Sequence, residues 1–201
     1  MAKEIEAKFF IDNKDDIRKK LSNIGLELID EEHLMKRKCF HCNDKKEERI
    51  YIRVRDEGKR ITMTYKEIKG KGINDIEEIE IEVSNFENAC ELITKTNYSQ
   101  VAYQENMREI WKNDEVEIVI DTWPFLQNYI EIEAENEETV KKYAKLLNFD
   151  FEKEAYFGAV GVLYEKQYSI PEKVINALPL FLFDDKELKT KLESYKGSTL
   201  N

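Results

Sequence analysis

Apolar side chains recur at every second position through much of this chain, with charged residues filling the positions between them. Residues 3–11 set Ile5, Ala7 and Phe9 on one side and Glu4, Glu6 and Lys8 on the other. That period of two is the signature of a strand with one packed face. From Asp12 to Ile24 the spacing changes to Ile17, Leu21 and Ile24, which predicts an amphipathic helix capped by Asp12 or Asn13 and stopped at Gly25. A second extended stretch follows over 27–42. Strand patterns return at 48–56 and 60–68, joined by a Glu57-Gly58 turn, and again at 77–83, after a looser loop around Gly70, Gly72, Asn74 and Asp75. Ser84 or Asn85 opens a helix running to about Lys95. Three more strands are predicted at 100–112, 115–123 and 128–135, then a helix over 137–147 carried by Val140, Tyr143 or Ala144, and Leu147. Beyond it the pattern is helical, with breaks at Pro171 and Pro179 and a charged segment from Asp184 to Lys196.

The polar faces of these strands are unusual in what they carry. An ordinary antiparallel sheet turns one face to water, and a single charged strand needs no other explanation. Here Glu4, Glu6 and Lys8, Arg53 and Arg55, Lys66, Glu78, Glu80 and Glu82, Arg108, and Glu131 and Glu133 all fall on polar sides of separate strands, where solvated faces mix in Ser, Thr, Asn and Gln freely. If the sheet closes on itself, these charges share one interior. Acidic and basic groups there satisfy one another when empty, and divide the work when filled: Lys and Arg bind phosphate oxygens, and carboxylates hold a hard cation such as Mg²⁺.

Composition narrows the field. The chain has 201 residues, 41% of them hydrophobic, enough for one substantial domain. The N-terminus runs straight into charge with no apolar leader, and no stretch approaches the ~18 apolar residues of a membrane span, so a cytoplasmic, membrane-free protein is expected. Three cysteines (Cys39, Cys42, Cys90) give no even disulfide framework, and Cys39 and Cys42 flank His41 with only His33 as a further histidine; they read as ordinary thiols near a strand end. A net charge of −10 argues against a nucleic-acid polymer as partner and makes cations part of any polyphosphate site. Neither a P-loop nor a dinucleotide glycine fingerprint is present, so a phosphate site must be built from side chains.

With these residues in place, the chain resembles the CYTH domain, or triphosphate tunnel metalloenzymes, a family that includes class IV adenylyl cyclases, thiamine triphosphatases and inorganic triphosphatases. The family's opening ExExK strand is matched by Glu4, Glu6 and Lys8, followed in order by Arg53 and Arg55, Lys66, Glu78 and Glu80, Arg108, Asp121, and Glu131 and Glu133. The resemblance implies an α+β fold, an eight-stranded antiparallel β-barrel with helices outside, over residues 1–168, with 169–201 as a helical extension. It implies that Glu4, Glu6, Asp121, Glu131 and Glu133, helped by Glu80 or Glu82, hold Mg²⁺ or Mn²⁺. Lys8, Arg53, Arg55, Lys66 and Arg108 would hold the phosphate chain, and Glu4, Glu6 and Lys8 form the catalytic strand. Two places depart from the family: Asn106 stands where a lysine is common, and residues 36–41 lack the aromatic-Phe-Asp pattern.

The expected activity is metal-dependent hydrolysis of inorganic triphosphate, thiamine triphosphate or a nucleoside triphosphate. An adenylyl cyclase uses the same charges on ATP, with the ribose 3′-hydroxyl as nucleophile, and a non-catalytic polyphosphate- or nucleotide-binding module is the third reading. The partner is a triphosphate-containing small molecule. Trp111, Trp123 and the aromatic stretch 156–164 read as core or as a subunit contact, which leaves a homodimer open.

Overall fold

The computed structural model describes residues 5–43, 50–68 and 76–198. Glu4 and the predicted loop around Gly70, Gly72, Asn74 and Asp75 lie outside these residues. Eight strands form the main sheet: β1 (Ile5–Phe10), β2 (Glu27–Cys42), β3 (Ile50–Asp56), β4 (Ile61–Ile68), β5 (Ile76–Glu82), β6 (Tyr98–Lys112), β7 (Glu117–Thr122) and β8 (Tyr129–Ala134). The helices are α1 (Lys14–Asn23), α2 (Phe86–Thr94), α3 (Glu137–Leu146), α4 (Phe151–Glu154), α5 (Gly161–Tyr168), α6 (Glu172–Asn176) and α7 (Lys186–Ser198). A two-residue strand, β9 (Leu180–Phe181), completes the list. The fold is therefore α+β, with an antiparallel eight-stranded sheet and helices packed on it. The strand order is β1-β8-β7-β6-β2-β3-β4-β5, so β1 and β5 are its end strands among the described residues.

Helices α1 and α2 begin where the sequence places their caps. Asn13 Oδ1 accepts the backbone amides of Asp15 and Asp16 at 2.8 and 3.2 Å, and Gly25, at φ 86°, turns the chain out of α1. Asn85 and Asn136 cap α2 and α3 in the same way, accepting from the amides of Asn88 and Thr139. Gly58 sits at φ 77° in the β3–β4 turn, which Glu57 N–H closes onto the Arg60 carbonyl at 2.9 Å.

The chain divides into two compact units. In the first, residues 1–33, 107–176 and 185–201, the apolar faces of β1, β8 and β7 pack against α1 and α3. Ala7, Phe9, Ile118, Ile120, Ile130 and Ile132 meet Ile17, Leu21, Val140 and Ala144 in one core. Trp111 belongs to that core, with its indole N–H donated to Glu109 at 2.6 Å. Glu109, only 3% exposed, also takes Arg18 through both carboxylate oxygens at 3.0 and 3.1 Å. The outer edge of β1 is covered by Tyr156: Lys8 N–H donates to the Tyr156 carbonyl and Tyr156 N–H to the Lys8 carbonyl, both at 2.9 Å. An edge strand so paired offers no open ladder at that residue.

In the second unit, residues 34–106 and 177–184, Phe40 and Val54 pack against Ala89, Cys90 and Ile93 of α2. Here β9 pairs in parallel with β6, Tyr103 N–H donating to the Pro179 carbonyl at 2.8 Å. The sequence pattern shows only helix in this region, because two residues are too few to establish a period. Cys39, Cys42 and Cys90 are free thiols, as expected, and burial pushes the Cys90 thiol up to about 11.

Candidate functional site

Each unit carries one charged sheet face opposite its apolar one, and register fixes who meets whom. In the first unit Glu6 pairs with Glu133 and Lys8 with Glu131 across β1 and β8, and Arg108 pairs with Asp121 across β6 and β7. Lys8, 3% exposed, donates Nζ to Glu6 at 2.6 Å and to Glu131 at 3.2 Å. Burial alone would make the ammonium easier to deprotonate, but the charges of Glu131 and Glu6 hold its pKa above the usual lysine value.

The carboxyls of Glu6 and Glu131 also meet each other. Burial pushes Glu131 up, and the hydrogen bond with Glu6 pushes it further, while Glu6 resists its own burial through that bond and the Lys8 charge and stays below the usual range. Two carboxyls that face each other in this way can share one proton, or one cation. That donor chemistry suits a hard divalent ion. Among the described residues no three His, Cys, Asp or Glu side chains converge into a ready ligand cage. The Glu6–Glu131 pair is thus the part of the expected ligand set on view, with Glu133 register-paired to Glu6 and Glu4 outside the described residues.

Asp121 sits differently from the glutamates. It is wholly buried and engaged on both oxygens: Arg108 donates Nε to Oδ1 at 2.9 Å and Nη2 to Oδ2 at 2.5 Å, and the Tyr129 hydroxyl donates to Oδ2 at 3.1 Å. This bidentate clamp aims the Arg108 guanidinium, which also reaches Glu131 at 3.4 Å. Burial works against the Arg108 charge, but Asp121 and Glu131 outweigh it and keep the proton bound more tightly than usual. Tyr129, two residues before Glu131 on β8, is the second residue to donate to Asp121.

In the second unit β3, β4 and β5 carry the register-paired charges. Register aligns Arg53 with Thr64 and then Glu80, Arg55 with Thr62 and then Glu82, and Lys66 with Glu78. Arg53 Nη2 donates to Thr64 Oγ1 at 3.3 Å and lies 3.7 Å from Glu80, while its Nε is buried with no hydrogen-bond partner. Glu80 accepts from Thr64 at 2.7 Å. Lys66 reaches Glu78 at 2.8 Å. Glu82 is exposed, its side chain 70% accessible and 3.9 Å from Arg60. The two places where the sequence departs from the family meet here: Arg37 donates Nη2 to Asn106 Oδ1 at 2.5 Å.

Glu57, read from sequence only as a turn residue, proves to be a hub. It accepts Arg55 Nε at 2.6 Å, Arg60 Nε at 2.7 Å and Thr62 Oγ1 at 3.3 Å. Burial raises its pKa, yet the Arg55 charge and the Arg60 bond leave it below the usual carboxylate range. A carboxylate whose folded pKa is depressed stabilises the fold above its unfolded pKa, near 4.3, and that stabilisation disappears as pH falls through the lower folded value. Glu57→Gln is therefore expected to cost about 1–2 kcal/mol at pH 7, with wild type and variant converging toward pH 3 in urea unfolding. A gap that stays constant with pH would remove Glu57 from this role.

Faces of this kind, Lys8 and Asp121 sealed from solvent among them, are not the wet side of an ordinary sheet. Residues 2–158 match the model of the CYTH domain. The chain belongs to the CYTH domain family. It is 29% identical over 133 residues to a protein of Methanocaldococcus jannaschii named a putative adenylate cyclase, a match that spans 65% of this chain and 75% of that one. A Vibrio parahaemolyticus structure of similar name superposes with a TM-score of 0.65 at 14% identity, over 80% of this chain and 96% of that chain. A Hippeastrum structure, described as a putative adenylyl cyclase with a dominant triphosphatase activity, superposes with a TM-score of 0.50 at 16% identity, over 85% and 99%. At such identities the structural likeness speaks for the fold. Among the described residues no helix is long and apolar enough to cross a membrane.

Proposed function

We propose that the protein is a divalent-metal-dependent triphosphate hydrolase acting on inorganic triphosphate, thiamine triphosphate or a nucleoside triphosphate. The observation that carries this reading is the joining of the Glu6 and Glu131 carboxylates through the buried Lys8 ammonium, with the Arg108 guanidinium beside Glu131. It supplies oxygen ligands and fixed cations together, and no histidine, serine or cysteine nucleophile stands among them. Glu6 and Glu131, with Glu133 and Glu4, would hold Mg²⁺ or Mn²⁺. Such an ion, when bound, neutralises phosphate oxygens and makes a water more acidic.

The chain's own residues do the rest. The Lys8 ammonium and the Arg108 guanidinium offer donors already oriented by their carboxylate partners, so little reorganisation is needed as negative charge moves to the leaving phosphate. Arg53, Arg55 and Lys66 take phosphate oxygens in exchange for part of their present partners, and the unpartnered Arg53 Nε is a donor ready for one. Asp121 holds the Arg108 guanidinium in place through both its oxygens.

The name of the Methanocaldococcus relative favours a second reading, cyclisation of ATP. A panel of tripolyphosphate, thiamine triphosphate and ATP, assayed with Mg²⁺ and with Mn²⁺ and with products resolved, tests both. Hydrolysis yields orthophosphate and the shortened diphosphate product; cyclisation of ATP yields cyclic AMP and diphosphate. Binding without turnover of any of the three, under either metal, would overturn the enzyme reading and leave a binding module.

A further inference from the structure

On the charged face of the second unit, β4 places two threonines between the arginines of β3 and the glutamates of β5. Thr62 and Thr64 have no exposed surface, and register sets Thr64 between Arg53 and Glu80. A buried hydroxyl is costly unless it is hydrogen-bonded, so its partners define what it can do. Thr64 Oγ1 lies 2.7 Å from Glu80 Oε2, and because a carboxylate only accepts, the single hydroxyl proton points there. What remains toward Arg53 is a lone pair, which takes Nη2 at 3.3 Å. Arg53 and Glu80 do not bond directly: Nη2 stands 3.7 Å from the carboxylate, beyond hydrogen-bonding reach. Two residues along β3 the arrangement differs. Arg55 is gripped by a carboxylate, Glu57, at 2.6 Å, and Thr62 donates to that same Glu57 at 3.3 Å. Arg53 alone of the two is held through a neutral oxygen, at the long end of the hydrogen-bond range, and its buried Nε has no hydrogen-bond partner.

We infer that Thr64 is a positioning residue for phosphate binding: its hydroxyl, turned by Glu80, aims the Arg53 guanidinium. The inference rests on the proposed function and deepens it, because it says how one of the phosphate-binding arginines is presented. A neutral oxygen gives the guanidinium a direction yet is readily replaced, since a phosphate that takes Nη2 has no close ion pair to break. Nε then supplies a second donor on the same edge of the planar fork, so that one phosphate can be met through two of its oxygens. Glu80 acts on Arg53 at one remove, by fixing which way the threonine proton points.

Calorimetric binding of inorganic tripolyphosphate to the full chain with Mg²⁺ tests the assignment. Thr64→Val keeps the shape of the side chain and removes the hydroxyl; it is expected to weaken binding about fivefold to tenfold, the range for one hydrogen bond. Thr64→Ser, which restores the hydroxyl, should bind within about twofold of wild type. Should the valine variant not fold, Thr64→Ala takes its place with the same expectation. Arg53→Gln is the reference for the parent reading, and in its background Thr64→Val should cost nothing further, because two residues that act through one contact are not additive. A valine effect that persists undiminished without Arg53 would overturn the inference, since Thr64 would then act through Glu80 or through general packing. If Arg53→Gln weakens binding and Thr64→Val stays within about twofold of wild type, the Thr64 assignment is wrong and the proposed function stands. If Arg53→Gln itself changes nothing, Arg53 leaves the site and Thr64 with it. If the wild type does not bind tripolyphosphate, the proposed function and the inference fail together.

Discussion

Glu6→Gln is expected to lower metal-dependent triphosphate turnover by about two to three orders of magnitude, the loss typical of removing one preorganised electrostatic group from a reaction centre. The fold should survive the change, because Lys8 keeps Glu131 as a partner at 3.2 Å and a glutamine can still hydrogen-bond to both. The variant should also lose the rise in melting temperature that Mg²⁺ or Mn²⁺ gives the wild type, since a ligand stabilises only the state that binds it. Glu131→Gln is the matched control from the other side of the pair. Wild-type turnover in Glu6→Gln would remove the pair from the reaction, whatever the substrate proves to be.

Arg108→Ala is expected to be the most damaging single change to stability, at about 3–5 kcal/mol. The cause lies in what remains: Asp121, its side chain 1% exposed, would stay buried without the two-pronged guanidinium that offsets it. Replacing both Arg108 and Asp121 by leucine should recover part of that cost, because the penalty belongs to the stranded charge rather than to the absence of the pair. Urea unfolding of the single and double variants reads both quantities. A single-variant cost below about 1 kcal/mol would mean that water reaches Asp121 freely.

Most of the sheet was legible in the sequence because each strand alternates over five or more residues, and a pattern of that length survives local noise. The helix starts were legible because Asn13, Asn85 and Asn136 each precede an apolar period of three to four. Partnership was less so. That Lys8 meets Glu131, 123 residues later, follows from register, and register depends on the whole ladder. Asp121 illustrates the limit: it reads as acidic, at a strand end and in the right order, but nothing in the sequence announces that Arg108 and Tyr129 donate to its oxygens. Glu57 looks like any turn residue until Arg55 and Arg60 are seen to converge on it. The aromatic stretch after 156 divides in a way that composition could not foretell. Tyr164 is fully buried with its hydroxyl on the Pro124 carbonyl, while Phe157 is 53% exposed.

The pairing of Tyr156 with the backbone of Lys8 bears on how short a working form of this protein can be made. Lys8 owes its position to β8 on one side and to a residue 148 places further along the chain on the other. A truncation that stops before Tyr156 would leave every charged residue of the candidate site in the polypeptide, yet unmoor the strand that presents the lysine. The smallest fragment that still presents Lys8 is thus set by a backbone hand-hold that no inventory of charged side chains would include.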